Sequence, residues 1–107
     1  MKKLIAAGAT LVVAGALAVP ALAATKSVQV KDNKFVAKSI TVKKGTTVKW
    51  TWKGSAPHDV TVTKGPVKFK STVKTSGSFS KKLTKAGTYT IICTIHQPDM
   101  KMTIKVK

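Results

Sequence analysis

From Ser39 to Trp52 apolar and polar residues alternate with a period of two. Ile40, Val42, Val48, Trp50 and Trp52 share one parity, while Lys49, Thr51 and Lys53 occupy the other. Side chains of a strand point to opposite faces in turn, so this pattern specifies strands with one face buried and one in water. Lys44-Gly45-Thr46 carries the turn chemistry between two such strands, and the spacing predicts that they form an antiparallel pair. Lys53-Gly54-Ser55-Ala56-Pro57 then breaks the second strand immediately before His58.

The same grammar continues to the C-terminus. Val60 and Val62 lie on a strand that Lys64-Gly65-Pro66 ends, and a lysine-rich section without a readable register follows. Ser76-Gly77-Ser78 leads into a strand carrying Phe79 and Leu83, and Lys85-Ala86-Gly87 turns into a strand from Thr88 to Cys93. Tyr89, Ile91 and Cys93 share one face of that strand; if the face is core, Cys93 points inward at its end. The last strand sets Met102, Ile104 and Val106 against Lys101, Thr103, Lys105 and Lys107. Short strands with regular turn signals and no helical period predict an all-β fold, a two-sheet Greek-key β-sandwich.

The first residues follow another logic. Lys2 and Lys3 precede an uncharged run from Leu4 to Val19, which ends at Pro20 and the small-residue site Ala21-Leu22-Ala23. The run is shorter than the ~20 apolar residues of a spanning helix, and it reads as a signal peptide, residues 1–23, cleaved near Ala23. The expected product is a monomeric domain, residues 24–107, in the periplasm or secreted. A domain of this size buries only about 60% of the surface its unfolded chain exposes, so a bound metal would add useful stability. Exported domains of this kind are usually stapled by disulfides, yet Cys93 is the only cysteine. The lone thiol therefore needs another explanation.

Charge narrows the partners. The formal net charge is +17, and every positive side chain is a lysine. Arginine is the usual bidentate reader of phosphate and base edges, so its absence argues against specific nucleic-acid recognition. Lysines that alternate with apolar and threonine positions describe a solvated strand face. The field they create favours acidic redox proteins or an anionic membrane surface as partners.

The chemistry concentrates in Cys93-Thr94-Ile95-His96-Gln97-Pro98-Asp99-Met100, where one tight loop can turn a thiolate, an imidazole and a thioether toward one ion. With His58, the other histidine of the chain, these residues make the ligand set of a blue-copper centre: two imidazoles and a thiolate in a plane, with a weak axial thioether. Thiolate and thioether suit Cu(I), imidazole accepts Cu(II), and a rigid sandwich changes little between them. Taken singly, Cys93 reads more readily as a small buried hydrophobe and His58 as a surface loop residue; His96 after Cys93 and the strand break before His58 turn them toward the metal. Met100 is favoured over Met102 as axial ligand because Met102 falls on the apolar parity of the last strand. Trp50 and Trp52 read as sandwich core rather than as redox relays.

In the segments SITVKKGTTVKWTW, PHDV, SGSFSKKLTKAGTYTIICTIHQPDM and KMTIKV, the chain resembles the cupredoxins, in particular the plastocyanin and amicyanin-like group, from Val28 to Val106. The resemblance implies one type 1 copper ion cycling between Cu(I) and Cu(II), held by His58, Cys93 and His96 with Met100 axial. It also implies a one-electron carrier between larger redox partners, with His96 as the exposed edge for electrons inside an apolar docking patch to which Pro57, Ile95 and Pro98 contribute. The chain departs from the pattern in three places. Asp59 stands where asparagine is frequent, and Trp52 where a polar residue is common. The loop between His96 and Met100 carries three residues, more than in the amicyanin type and fewer than in the plastocyanin type.

Copper buffering or delivery without electron transfer would use the same ligands and is the alternative function. A metal-free lysine-rich anion-binding or adhesion module is a third class. Enzymatic readings fit less well. A Cys/His nucleophile lacks an identifiable orienting residue and oxyanion hole, and multicopper chemistry needs more than the two histidines present. Structural zinc is poorly served by a methionine.

Overall fold

The computed structural model describes residues 24–96 and 99–107. The leader expected over residues 1–23 and Pro98 of the expected docking patch lie outside the described residues. Eight strands follow in chain order: β1 Thr25–Lys31, β2 Lys34–Val36, β3 Ser39–Val42, β4 Thr46–Trp52, β5 Thr61–Lys64, β6 Ser78–Leu83, β7 Gly87–Ile92 and β8 Lys101–Val106. They form two four-stranded sheets, ordered β2-β1-β4-β6 and β3-β8-β7-β5, and among the described residues there is no helix.

Alternation decides what each strand buries. Val28 and Val30 of β1, Val48, Trp50 and Trp52 of β4, Tyr89 and Ile91 of β7, and Met102, Ile104 and Val106 of β8 all face the space between the sheets. Their neighbours in sequence carry the lysines and threonines to the outside. Trp50 is fully buried against Phe69 and Phe79, with ring centroids 6.1 Å and 5.8 Å away, and its indole N–H points at the Met102 sulfur, 3.4 Å distant. Both tryptophans are core, as parity predicts.

One sequence expectation is corrected. β3 and β4 are not an antiparallel pair, because the turn at Lys43–Gly45 carries the chain from one sheet to the other. β3 runs parallel to β8, with Ile40 opposite Ile104, and β4 runs parallel to β1, with Trp50 opposite Val28. Period-two alternation identifies the buried face of a strand and says nothing about its neighbour. In a two-layer sandwich a short turn at the rim serves a sheet change as well as a hairpin.

The lysine-rich section that follows β5 is held without forming a regular strand. Its isolated bridges join Lys70 to Thr61 and Lys74 to His58. Ser71 fastens its middle by accepting the N–H of Val60 on its hydroxyl, at 3.0 Å, and by donating its own N–H to the Val60 carbonyl.

Three connections meet at one end of the sandwich: the β1–β2 turn at Asp32 and Asn33, the segment between β4 and β5 that carries His58, and the β7–β8 loop. Parallel pairing of β1 with β4 brings the first two to the same rim. The antiparallel β7–β8 ladder places the third there as well.

Candidate metal centre

Cys93 lies one residue beyond β7, yet its N–H donates to the Met100 carbonyl at 3.0 Å, adding a rung to the β7–β8 ladder. The side chain therefore keeps the strand's alternation and points inward, fully buried. His96 follows in a tight turn whose N–H reaches the Cys93 carbonyl, and Met100 returns an N–H to the His96 carbonyl, each at 3.3 Å. These hydrogen bonds hold the backbones of residues 93, 96 and 100 close together.

His58 arrives from the other side and is held at several points. Its backbone exchanges two 2.9 Å hydrogen bonds with Lys74, and its carbonyl also accepts the Trp52 indole N–H at 3.2 Å. The bulky Trp52 ring thus serves to anchor the backbone of His58. The His58 ring is fully buried, with Nδ1 3.7 Å from Cys93 Sγ and 3.1 Å from His96 Nδ1, and His96 Nδ1 is 3.6 Å from the same sulfur. The three possible ligand atoms lie within 4.8 Å of one another. His96 is only half buried, beside Ile95, which is 45% exposed.

The donor set fits copper. Two imidazole nitrogens and one thiolate sulfur converge without any carboxylate among them, a softness that suits copper and no hard cation. Met100 is fully buried at the end of the same loop. Met102, the other thioether near the site in sequence, is engaged by Trp50 in the core.

Acidic residues complete the surroundings. The chain has three carboxylates among its 107 residues, and all three fall on the loops of this end: Asp32, Asp59 and Asp99. Asp59 accepts the Thr94 N–H at 2.8 Å, the Thr94 hydroxyl at 3.0 Å and the Thr61 hydroxyl at 2.7 Å. It therefore ties the residue after His58 to the residue after Cys93, and both ligand loops to β5. Burial pushes its carboxyl up, but the hydrogen bonds from Thr61, Thr94 and Cys93 outweigh that and hold it below the usual carboxylate range.

Asp32 has no counterpart among the residues that the sequence singles out. Its Oδ1 lies 3.0 Å from His58 Nε2, the ring nitrogen facing away from Cys93, and also accepts the Ala56 N–H at 3.0 Å, while Oδ2 accepts from Ser55 at 3.3 Å. The His58 hydrogen bond first, then those from Ala56 and Ser55, hold its carboxyl at about 2. Nothing local flags Asp32, because its partner is 26 positions away and the two meet only when β1 pairs with β4.

The sequence pattern of the copper binding proteins of the plastocyanin/azurin family matches residues 23–107. The chain belongs to this family. Among solved structures, an oxidised amicyanin with a methionine-to-leucine substitution is 28% identical with a TM-score of 0.69, covering 77% of this chain and 81% of that one. A reduced amicyanin with a proline-to-phenylalanine substitution is 30% identical, also at 0.69, over 78% and 82%. The copper-containing nitrite reductase from Thermus scotoductus SA-01 is 29% identical with a TM-score of 0.68, over 78% of this chain but only 22% of that one. This chain thus spans about a fifth of that enzyme's length. No curated protein sequence matches the chain. The all-β sandwich and the copper cofactor expected from the sequence agree with this family membership and with the His58, Cys93 and His96 cluster.

Proposed function

We propose that this protein is an exported one-electron carrier that binds one copper ion through His58, Cys93 and His96, with Met100 as the axial thioether. Copper bound there supplies a Cu(I)/Cu(II) couple. The observation that carries the reading is the convergence of one buried thiol and two imidazoles from two loops of a rigid sandwich, one imidazole buried and the other half exposed. The three-point hold on His58 and the Asp59 clamp on Thr94 keep the donors in place whichever oxidation state is present, which keeps reorganisation small. His96 is the edge through which electrons pass, and exposed Pro57 and Ile95 provide apolar contact beside it. Between the methionines, Met100 is preferred because the Met102 sulfur already accepts the Trp50 N–H.

Titration of residues 24–107 with Cu(II), followed by visible and EPR spectroscopy, tests the reading. An intense thiolate-to-copper band with narrow copper hyperfine splitting is expected at one equivalent, and a colourless product overturns it. Slow electron self-exchange with ready loss of copper to a chelator would turn the reading to copper buffering or delivery.

The partner follows from charge. With a formal net charge of +17 in the full chain, of which the leader carries only Lys2 and Lys3, association with an acidic redox protein is steered electrostatically and slows as salt rises, because the Debye length shrinks from about 30 Å at 0.01 M to about 10 Å at 0.1 M. Stopped-flow electron transfer at these two ionic strengths measures this. Equal rates with acidic and basic partners at the lower one would remove the steering argument.

A further inference from the structure

We infer that Asp32 is a positioning residue for the copper centre: its carboxylate fixes the tautomer and orientation of His58 and strengthens that ligand, favouring Cu(II) over Cu(I). The inference rests on the copper reading above and extends it to a residue outside the ligand set.

The geometry is specific. A neutral imidazole carries one N–H, and an ionised carboxylate can only accept. With Asp32 Oδ1 3.0 Å from Nε2, the proton belongs on Nε2 and the lone pair on Nδ1, the atom that faces Cys93 and His96. A carboxylate behind a ligating imidazole also makes the ring a stronger donor, and a stronger donor stabilises the more highly charged oxidation state.

The carboxylate is itself seated. The N–H groups of Ser55 and Ala56 hold it from the loop that leads to His58. Gly54 leaves room for it, since a Cβ at that position would run into the Asp32 carboxylate and backbone nitrogen. The strand-breaking stretch Lys53–Pro57 is thus a cradle for Asp32 as well as the approach to His58. In a chain with 20 lysines and three acids, two acids, Asp32 and Asp59, hydrogen-bond the ligand loops directly. Such placement is hard to explain as surface charge alone.

Two substitutions separate charge from position. Asp32→Asn keeps an oxygen that can accept from His58 but removes the charge. Gly54→Ala keeps the charge and displaces the carboxylate. Both should weaken Cu(II) about tenfold relative to Cu(I), the lower end of the ~10–100-fold range for groups behind a metal ligand. For a one-electron couple a tenfold change in that ratio raises the reduction potential by about 59 mV. Voltammetry and competition titrations of Cu(II) and Cu(I) read both quantities, with denaturant unfolding of the metal-free proteins as a check on folding.

The shift should persist in 1 M salt, where the Debye length is about 3 Å, because the hydrogen bond lies within that distance. A potential that moves by less than a twofold change in the affinity ratio in both variants overturns the inference, as does a shift that salt abolishes. A wild-type protein that stays colourless with copper defeats the underlying reading instead. A blue wild type with unmoved variants defeats only the role of Asp32.

Discussion

Replacing Cys93 by alanine abolishes the visible thiolate-to-copper band and lowers Cu(I) affinity by at least about a hundredfold, since the loss of a ligand should exceed the ~10–100-fold effect of losing a group behind one. The thiolate is the donor of both the charge-transfer transition and most of the softness of the site, and without it His58 and His96 offer Cu(I) two borderline nitrogens beside the weak thioether of Met100. Folding should survive. Cys93 is fully buried, so alanine leaves a small cavity worth about 1 kcal/mol, while His58 Nδ1 and His96 Nδ1, which lose the thiol 3.7 Å and 3.6 Å away, still lie 3.1 Å from each other. Absorption spectra and unfolding curves of the metal-free variant separate the two effects. A variant that still turns blue would show that the thiol is not the ligand.

Trp50→Ala has the opposite profile, a large loss of stability with the ligands untouched. Trp50 is fully buried, stacks obliquely on Phe69 and Phe79, and directs its N–H at the Met102 sulfur. Truncating a buried tryptophan typically costs about 3–5 kcal/mol, a large share of the ~5–15 kcal/mol by which domains are stable. At about 4–8 °C of Tm per kcal/mol for a domain of this size, the expected loss is more than about 12 °C. The measurement belongs on the metal-free protein, because bound copper would add its own stabilisation. A loss below about 1 kcal/mol would mean that the space between the sheets is not organised around this ring. Trp50→Phe, which keeps an aromatic ring but not the N–H, should recover most of the stability.

The two experiments probe opposite ends of one design. Between the sheets, packing makes the sandwich rigid; at the rim, two connections use that rigidity to bring donors from distant parts of the chain within 4.8 Å of one another, and a third places Asp32 behind one of them. His58 is held by Lys74, Trp52 and Asp32, and the Cys93 loop by the Cys93–Met100 rung and the Asp59–Thr94 clamp. Asp59 acts as an acceptor on both sides. A carboxylate has enough lone pairs for Thr61 and Thr94 together, so one side chain ties both ligand loops to β5.

By itself the sequence determined the faces and the chemistry. Strand alternation is local, so Trp50, Tyr89, Ile91, Met102 and Ile104 could be assigned to the core from parity alone, and Cys93 to its inward position. The donor types are legible as well: one thiol, one imidazole and a thioether in a loop, with the other histidine upstream, narrow the metal without any coordinates. Only the tertiary structure decided which strands are neighbours, sending β3 and β4 to different sheets. It also decided which thioether the core had already engaged, and that Asp32, 26 positions before His58, stands behind that ring. Alternation and spacing are properties of neighbouring residues, whereas a hydrogen bond between two loops exists only once the β1–β4 pairing has closed the distance between them.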